Sequence, residues 1–139
     1  MPPEPTATKP HPAATTGAAK AFSALIGVAS LVVLLQGLWA GLFIHEGQDY
    51  KDNWVEVHAR GAEVAILVTV IAFVLAAVKF RHRRDLLIGT AALAMLLIIE
   101  SYLGGEIGDK PDLTAVHIPL GMGLMGLSVW LPLRSRSLR

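Results

Sequence analysis

Two histidines stand in similar company. His58 lies in "NWVEVHARGAEVAI", residues 53–66, and His117 lies in "LTAVHIPLGMGLMG", residues 113–126. Each stands at the edge of a long apolar run, and a glycine follows about one helical turn later, Gly61 in the first case and Gly121 in the second. Neutral imidazole is a metal ligand and a proton carrier. Two imidazoles on packed helices, entering a porphyrin from opposite faces, are the donor set of a bis-histidine haem iron. That makes His58 and His117 candidate axial ligands of a haem. Gly61 and Gly121 would leave space for the macrocycle, helped by a stripe of small residues running through Ala62, Ala65, Thr69, Ala72 and Ala76, with Ser128 on the other side. Arg60, at the rim, is a candidate partner for a propionate, since guanidinium and carboxylate pair through two parallel hydrogen bonds.

Such a pair needs helices to carry it. The chain has 139 residues, 53% of them hydrophobic, and a positive mean hydropathy of +0.54. The apolar residues fall in four runs, at 21–44, about 61–80, 86–105 and 115–133. Each run is roughly 19–24 residues, enough helix to cross a hydrocarbon core of ~30 Å. Unpaired strand edges do not survive in lipid, so the runs predict helices. The expected fold class is an all-α integral membrane protein, a bundle of four transmembrane helices over 21–133. Residues 1–20 are rich in Pro, Ala and Thr and predict a disordered cytoplasmic tail. Residues 134–139, "RSRSLR", predict a short basic cytoplasmic tail. The chain has no cysteine, which excludes disulfides, thiolate metal sites and iron–sulfur clusters. It has no phosphate-binding glycine loop, no zincin motif and no Ser–His–Asp arrangement. Nucleic acid is not an expected partner; the lipid bilayer is.

Charge sets the expected orientation. Lys9, Lys20, Lys79, Arg81, Arg83, Arg84, Arg134, Arg136 and Arg139 fall on one side of the four runs, against Lys51, Arg60 and Lys110 on the other. Basic residues mark the cytoplasmic face. Both termini are therefore expected in the cytoplasm of a multi-pass plasma-membrane protein. Most acidic residues, Glu46, Asp49, Asp52, Glu56, Glu63, Glu106, Asp109 and Asp112, fall at or near the outer face. So do His45, His58 and His117.

The two halves resemble each other. Both have an apolar run with one polar residue, Gln36 or Glu100. A patch of glycine and aromatic residues follows, then an acidic loop, a histidine and a new helix. Two hairpins in the same orientation predict parallel repeats about an axis along the membrane normal. In that arrangement the second and fourth helices are equivalent, and their histidines face each other across the axis. Glu100, a carboxylate within a spanning segment, is a functional candidate by its position alone.

The stretch "IIESYLGGEIG…LTAVHIPLGMGLMGLSVWL" resembles one helical hairpin of the haem A synthase family, and "WVEVHARGA" looks like the histidine region of the preceding hairpin. The resemblance spans roughly residues 30–133 and is also shared with small four-helix membrane proteins bearing similar histidine motifs. Family members have two four-helix halves, and this chain has the size of one. Ala59 separates His58 from Arg60 where the family has His-Arg directly, and Glu100 stands where a glutamine is expected. What the resemblance implies is therefore a single b-type haem site on His58 and His117, used for electron transfer or haem handling. Three alternatives stay open. One is a haem A synthase-like enzyme completed as a homodimer. Another is a divalent-metal site drawing on His45, His58, His117 and outer carboxylates. The last is a cofactor-free accessory subunit of a larger, respiratory-type membrane complex.

Overall fold

The computed structural model describes residues 14–45 and 48–138, with backbone alone for 14–16, 45 and 48–52. Four long helices follow one another: α1 Ala14–His45, α2 Gln48–Lys79, α3 Arg84–Glu106 and α4 Thr114–Ser135. Short 3-10 turns lie at Pro111–Leu113 and Arg136–Leu138. Each helix is long and apolar enough to cross a membrane. The outward surface is apolar as well, with residues such as Leu31, Leu67, Val78, Ile88 and Met95 exposed. A continuous apolar surface of this extent is far beyond the patches that proteins present to water.

Three boundaries differ from the expectation. α1 begins at Ala14, so residues 14–20 are helix and not loose tail; the rest of that stretch, 1–13, lies outside the described residues. At the other end, residues 134–138 are also structured. Asp85 accepts from Arg83 Nε at 3.0 Å and Nη2 at 2.9 Å and from Arg134 Nε and Nη2 at 3.2 and 3.0 Å. Arg83 Nη2 also donates to Ser137 at 2.9 Å. The Asp85 carboxylate holds the Arg83 guanidinium above its ordinary range by this hydrogen bond, with burial opposing it. Finally, α2 begins at Gln48, well ahead of Gly61, because its first turns are polar and helical rather than apolar. His58 therefore sits some turns inside α2, whereas His117 is in the first turn of α4.

The helices form a ring of four. α1 packs on α2 and α4, and α3 packs on α2 and α4; among the described residues the diagonal pairs make no backbone approach. Association of apolar helices relies on close packing and on hydrogen bonds between them. Gly89 supplies the first: a Cβ there would come within 2.8 Å of Leu131 and of Trp130. Ser30 supplies the second. Pro132 has no N–H, so the Ser128 carbonyl loses its donor within α4. The Ser30 hydroxyl of α1, which also faces the Ile26 carbonyl at 2.7 Å, donates to that Ser128 oxygen.

The buried positions keep one register in both halves. Phe22, Ile26, Ala29, Ser30 and Val33 of α1 have the same spacing as Leu86, Thr90, Leu93, Ala94 and Leu97 of α3. Likewise Ala65, Thr69, Ala72 and Ala76 of α2 match Leu124, Ser128, Leu131 and Ser135 of α4. The i, i+3, i+4, i+7 pattern is the stripe a helix turns toward a core.

Candidate functional site

His58 and His117 meet. They come from the diagonal helices α2 and α4, and their ring centres are 6.4 Å apart with planes at 65°. Both are half-buried. Phe43 of α1 stands edge-on to His58, with ring centres 5.6 Å apart.

A polar residue of the preceding helix stands beside each ring. His58 Nδ1 lies 3.2 Å from the Gln36 backbone carbonyl. In the orientation that satisfies both of its ends, the Gln36 amide nitrogen donates to the His58 carbonyl at 2.9 Å and to His58 Nδ1 at 3.0 Å. Its oxygen accepts from the Ala62 N–H at 3.2 Å. Gln36 is thus wedged against the turn of α2 that carries His58. That arrangement makes Nδ1 an acceptor; only with the proton on Nδ1, donated to the Gln36 backbone carbonyl, would Nε2 be bare and able to ligate. In the second half, His117 Nδ1 lies 3.2 Å from Glu100 Oε1, with the Glu100 side chain 13% exposed. That contact is close but not aligned as a hydrogen bond. His117 Nδ1 and Glu100 Oε2 consequently have no hydrogen-bond partner among the described residues.

Both glycines serve these contacts. A Cβ at Gly61 would collide with the Trp39 ring and the Gln36 amide, and a Cβ at Gly121 would come within 3.0 Å of Glu100 Oε1. Their expected role, leaving room for a macrocycle, is corrected by this: the space over Gly61 and Gly121 is taken by the chain's own side chains. The small stripe is corrected in the same way. Ala65, Thr69, Ala72 and Ala76 are fully buried in the packed core, and the Thr69 hydroxyl has no partner among the described residues. Gly104 of α3 is the glycine that admits a histidine, since a Cβ there would come within 3.0 Å of His117 Cε1.

Arg60 is not on the histidine face. Two residues turn a helix by about 200°, so Arg60 points away from the axis. Its guanidinium is exposed and pairs with Glu56 at 2.7 Å and with Glu63 at 3.0 Å. Exposed pairs of this kind contribute little, about 0–1 kcal/mol. Glu63 thereby belongs to the surface and not to the site. On the same end of the bundle Lys110 pairs with Glu106 at 2.6 Å, a hydrogen bond that raises the lysine above its ordinary range. The side chain of His45 lies outside the described residues.

The 6.4 Å between ring centres is close to the roughly 6 Å that two imidazoles sharing one metal at about 2 Å each would give. A bare metal ion would need more protein ligands, and among the described residues no group of three or more His, Cys, Asp or Glu side chains comes together. Sequence reading named both histidines, and Gln36 and Glu100 as matching positions. It missed that each of these polar residues reaches the histidine of the following helix. The signal was present, because both hairpins place that residue at the corresponding place ahead of the histidine.

No protein-family profile, curated protein or solved structure matches the chain.

Proposed function

We propose that the chain is a small multi-pass plasma-membrane protein. In this reading it binds one b-type haem between α2 and α4, near the outer end of the bundle, for electron transfer or haem handling. The observation that carries this reading is the His58–His117 pair, 6.4 Å apart between ring centres on diagonal helices, with Nδ1 of each ring 3.2 Å from an oxygen of Gln36 or Glu100. Contacts at one ring nitrogen are what a ligating histidine uses to aim the other. His58 and His117 hold the iron; Phe43 flanks the first ring. A haem held there would supply a one-electron couple, and with both imidazoles bound the iron would offer a substrate no position. This favours electron transfer or haem holding over oxygen chemistry.

The matching burial registers and the matching Gln36/His58 and Glu100/His117 contacts support two parallel hairpin repeats. The apolar outer surface then meets lipid, both termini are cytoplasmic, and the histidines lie toward the outer face. Electron transfer needs a donor and an acceptor, so a respiratory-type membrane complex is the expected setting.

The test is the absorption spectrum of the full chain, purified in detergent from haem-replete cells. A Soret band and the pyridine haemochrome of haem b are expected. His58→Ala and His117→Ala should each abolish the six-coordinate spectrum. A colourless wild-type protein would sink the proposal and leave the accessory-subunit reading in its place.

A further inference from the structure

We propose that Gln36 and Glu100 are positioning residues that make the two axial histidines chemically unequal, with Glu100 as the group that sets the potential of the haem; this rests on the haem reading above. Both residues occupy the same place in their hairpins, both sit over a glycine of the next helix, and both contact Nδ1 of that helix's histidine. They differ in what they present. The Gln36 amide is taken up by the α2 backbone, at the His58 carbonyl and the Ala62 N–H, and what faces His58 Nδ1 is neutral: the amide N–H of Gln36 and its backbone carbonyl. Glu100 presents a carboxyl oxygen at 3.2 Å from His117 Nδ1, and its second oxygen is buried without a partner among the described residues.

A carboxylate accepts a hydrogen bond about twice as strongly as a neutral group. A histidine that donates its Nδ1–H to a carboxylate becomes a more basic ligand at Nε2. A more electron-rich axial ligand stabilises the ferric iron over the ferrous, so it lowers the reduction potential. With a proton on Nδ1 turned to the Glu100 oxygen 3.2 Å away, His117 would be the stronger donor of the pair and His58 the weaker. The geometry assigns the difference to one atom group, the Glu100 carboxyl.

Glu100→Gln is a mild test of this, because it gives α3 the residue that α1 already carries in the corresponding place. The measurement is a potentiometric titration of the full-length protein in detergent, followed at the haem α-band, with electron paramagnetic resonance of the ferric form. The expected result is a retained bis-histidine spectrum, a midpoint potential shifted positive from wild type, and a changed spread of the ferric g-values. Gln36→Glu, which would put a carboxylate beside His58 as well, is expected to shift the potential negative. Wild-type potential and g-values in Glu100→Gln, or a negative shift, would overturn the proposal. If Glu100→Gln loses haem altogether, Gln36→Glu decides: a negative shift supports the proposal and an unmoved potential overturns it. These outcomes are distinct from failure of the haem reading itself, in which the wild-type protein carries no haem.

Discussion

At Gly61 a Cβ would run into the rigid Trp39 ring and the Gln36 amide, while at Gly121 it would come within 3.0 Å of a single carboxyl oxygen at the end of a flexible side chain. The two substitutions to alanine therefore separate. Alanine is a better helix former than glycine by roughly 1 kcal/mol, which works in favour of both. Forcing an aromatic ring out of a packed contact costs about 1–3 kcal/mol. Gly61→Ala is expected to lower the thermal midpoint in detergent, with helical circular dichroism as the readout. Gly121→Ala is expected to leave that midpoint within a degree or two of wild type. Equal losses in both would show that the Trp39–Gln36 wedge is not rigid. At this scale the sequence announced residue type and spacing but not direction. His58 and His117 were legible because each recurs in a repeated setting. Arg60 was misread because adjacency along the chain hides a rotation of about 200° around the helix. The small residues were recognisable as small, but what fills the space beside them depends on side chains of another helix.

Between elements, the bond from Ser30 to the Ser128 carbonyl exists because Pro132 leaves that carbonyl without its own donor. Hydrogen bonds between membrane helices contribute about 0.6 kcal/mol on average, with some near 1.7. Ser30→Ala should destabilise the bundle by about this much in the wild-type background. In a Pro132→Ala background residue 132 regains an N–H, the α4 ladder closes over Ser128, and Ser30→Ala should have close to no effect. Steric trapping or denaturant unfolding of the four proteins measures the coupling, and additive losses would refute it. The segments themselves were readable from hydropathy: the four apolar runs lie within α1 to α4, apart from Phe80 just past the end of α2. Their ends were not. Hydropathy sees the apolar span, whereas the helix continues for as long as its backbone hydrogen bonds do, which is why α2 starts at Gln48 and α1 at Ala14. The last turn past Arg134 was taken for a tail because its anchor, Asp85, sits across the bundle at the start of α3.

For the whole molecule, the two ends of the bundle differ in charge. One end carries Lys79, Arg81, Arg83, Arg84, Arg134 and Arg136, with Asp85 neutralised between two of them. The other end carries Glu56, Glu63, Glu106, Asp109 and Asp112, with Arg60 and Lys110 paired to three of those. Basic residues are retained in the cytoplasm during insertion, and acidic residues contribute little to that choice. The basic end should therefore face inward and put the histidine pair within reach of the outer face. The natural lack of cysteine makes this directly measurable. His82 is an exposed residue in the turn between α2 and α3, and Asp109 is an exposed residue in the turn after α3. A membrane-impermeant maleimide should label Asp109→Cys in intact cells and His82→Cys only after permeabilisation. Labelling of His82→Cys in intact cells, with Asp109→Cys protected, would invert the bundle and move the proposed haem to the cytoplasmic side. Labelling of both in intact cells would remove the four-span membrane topology on which that placement stands.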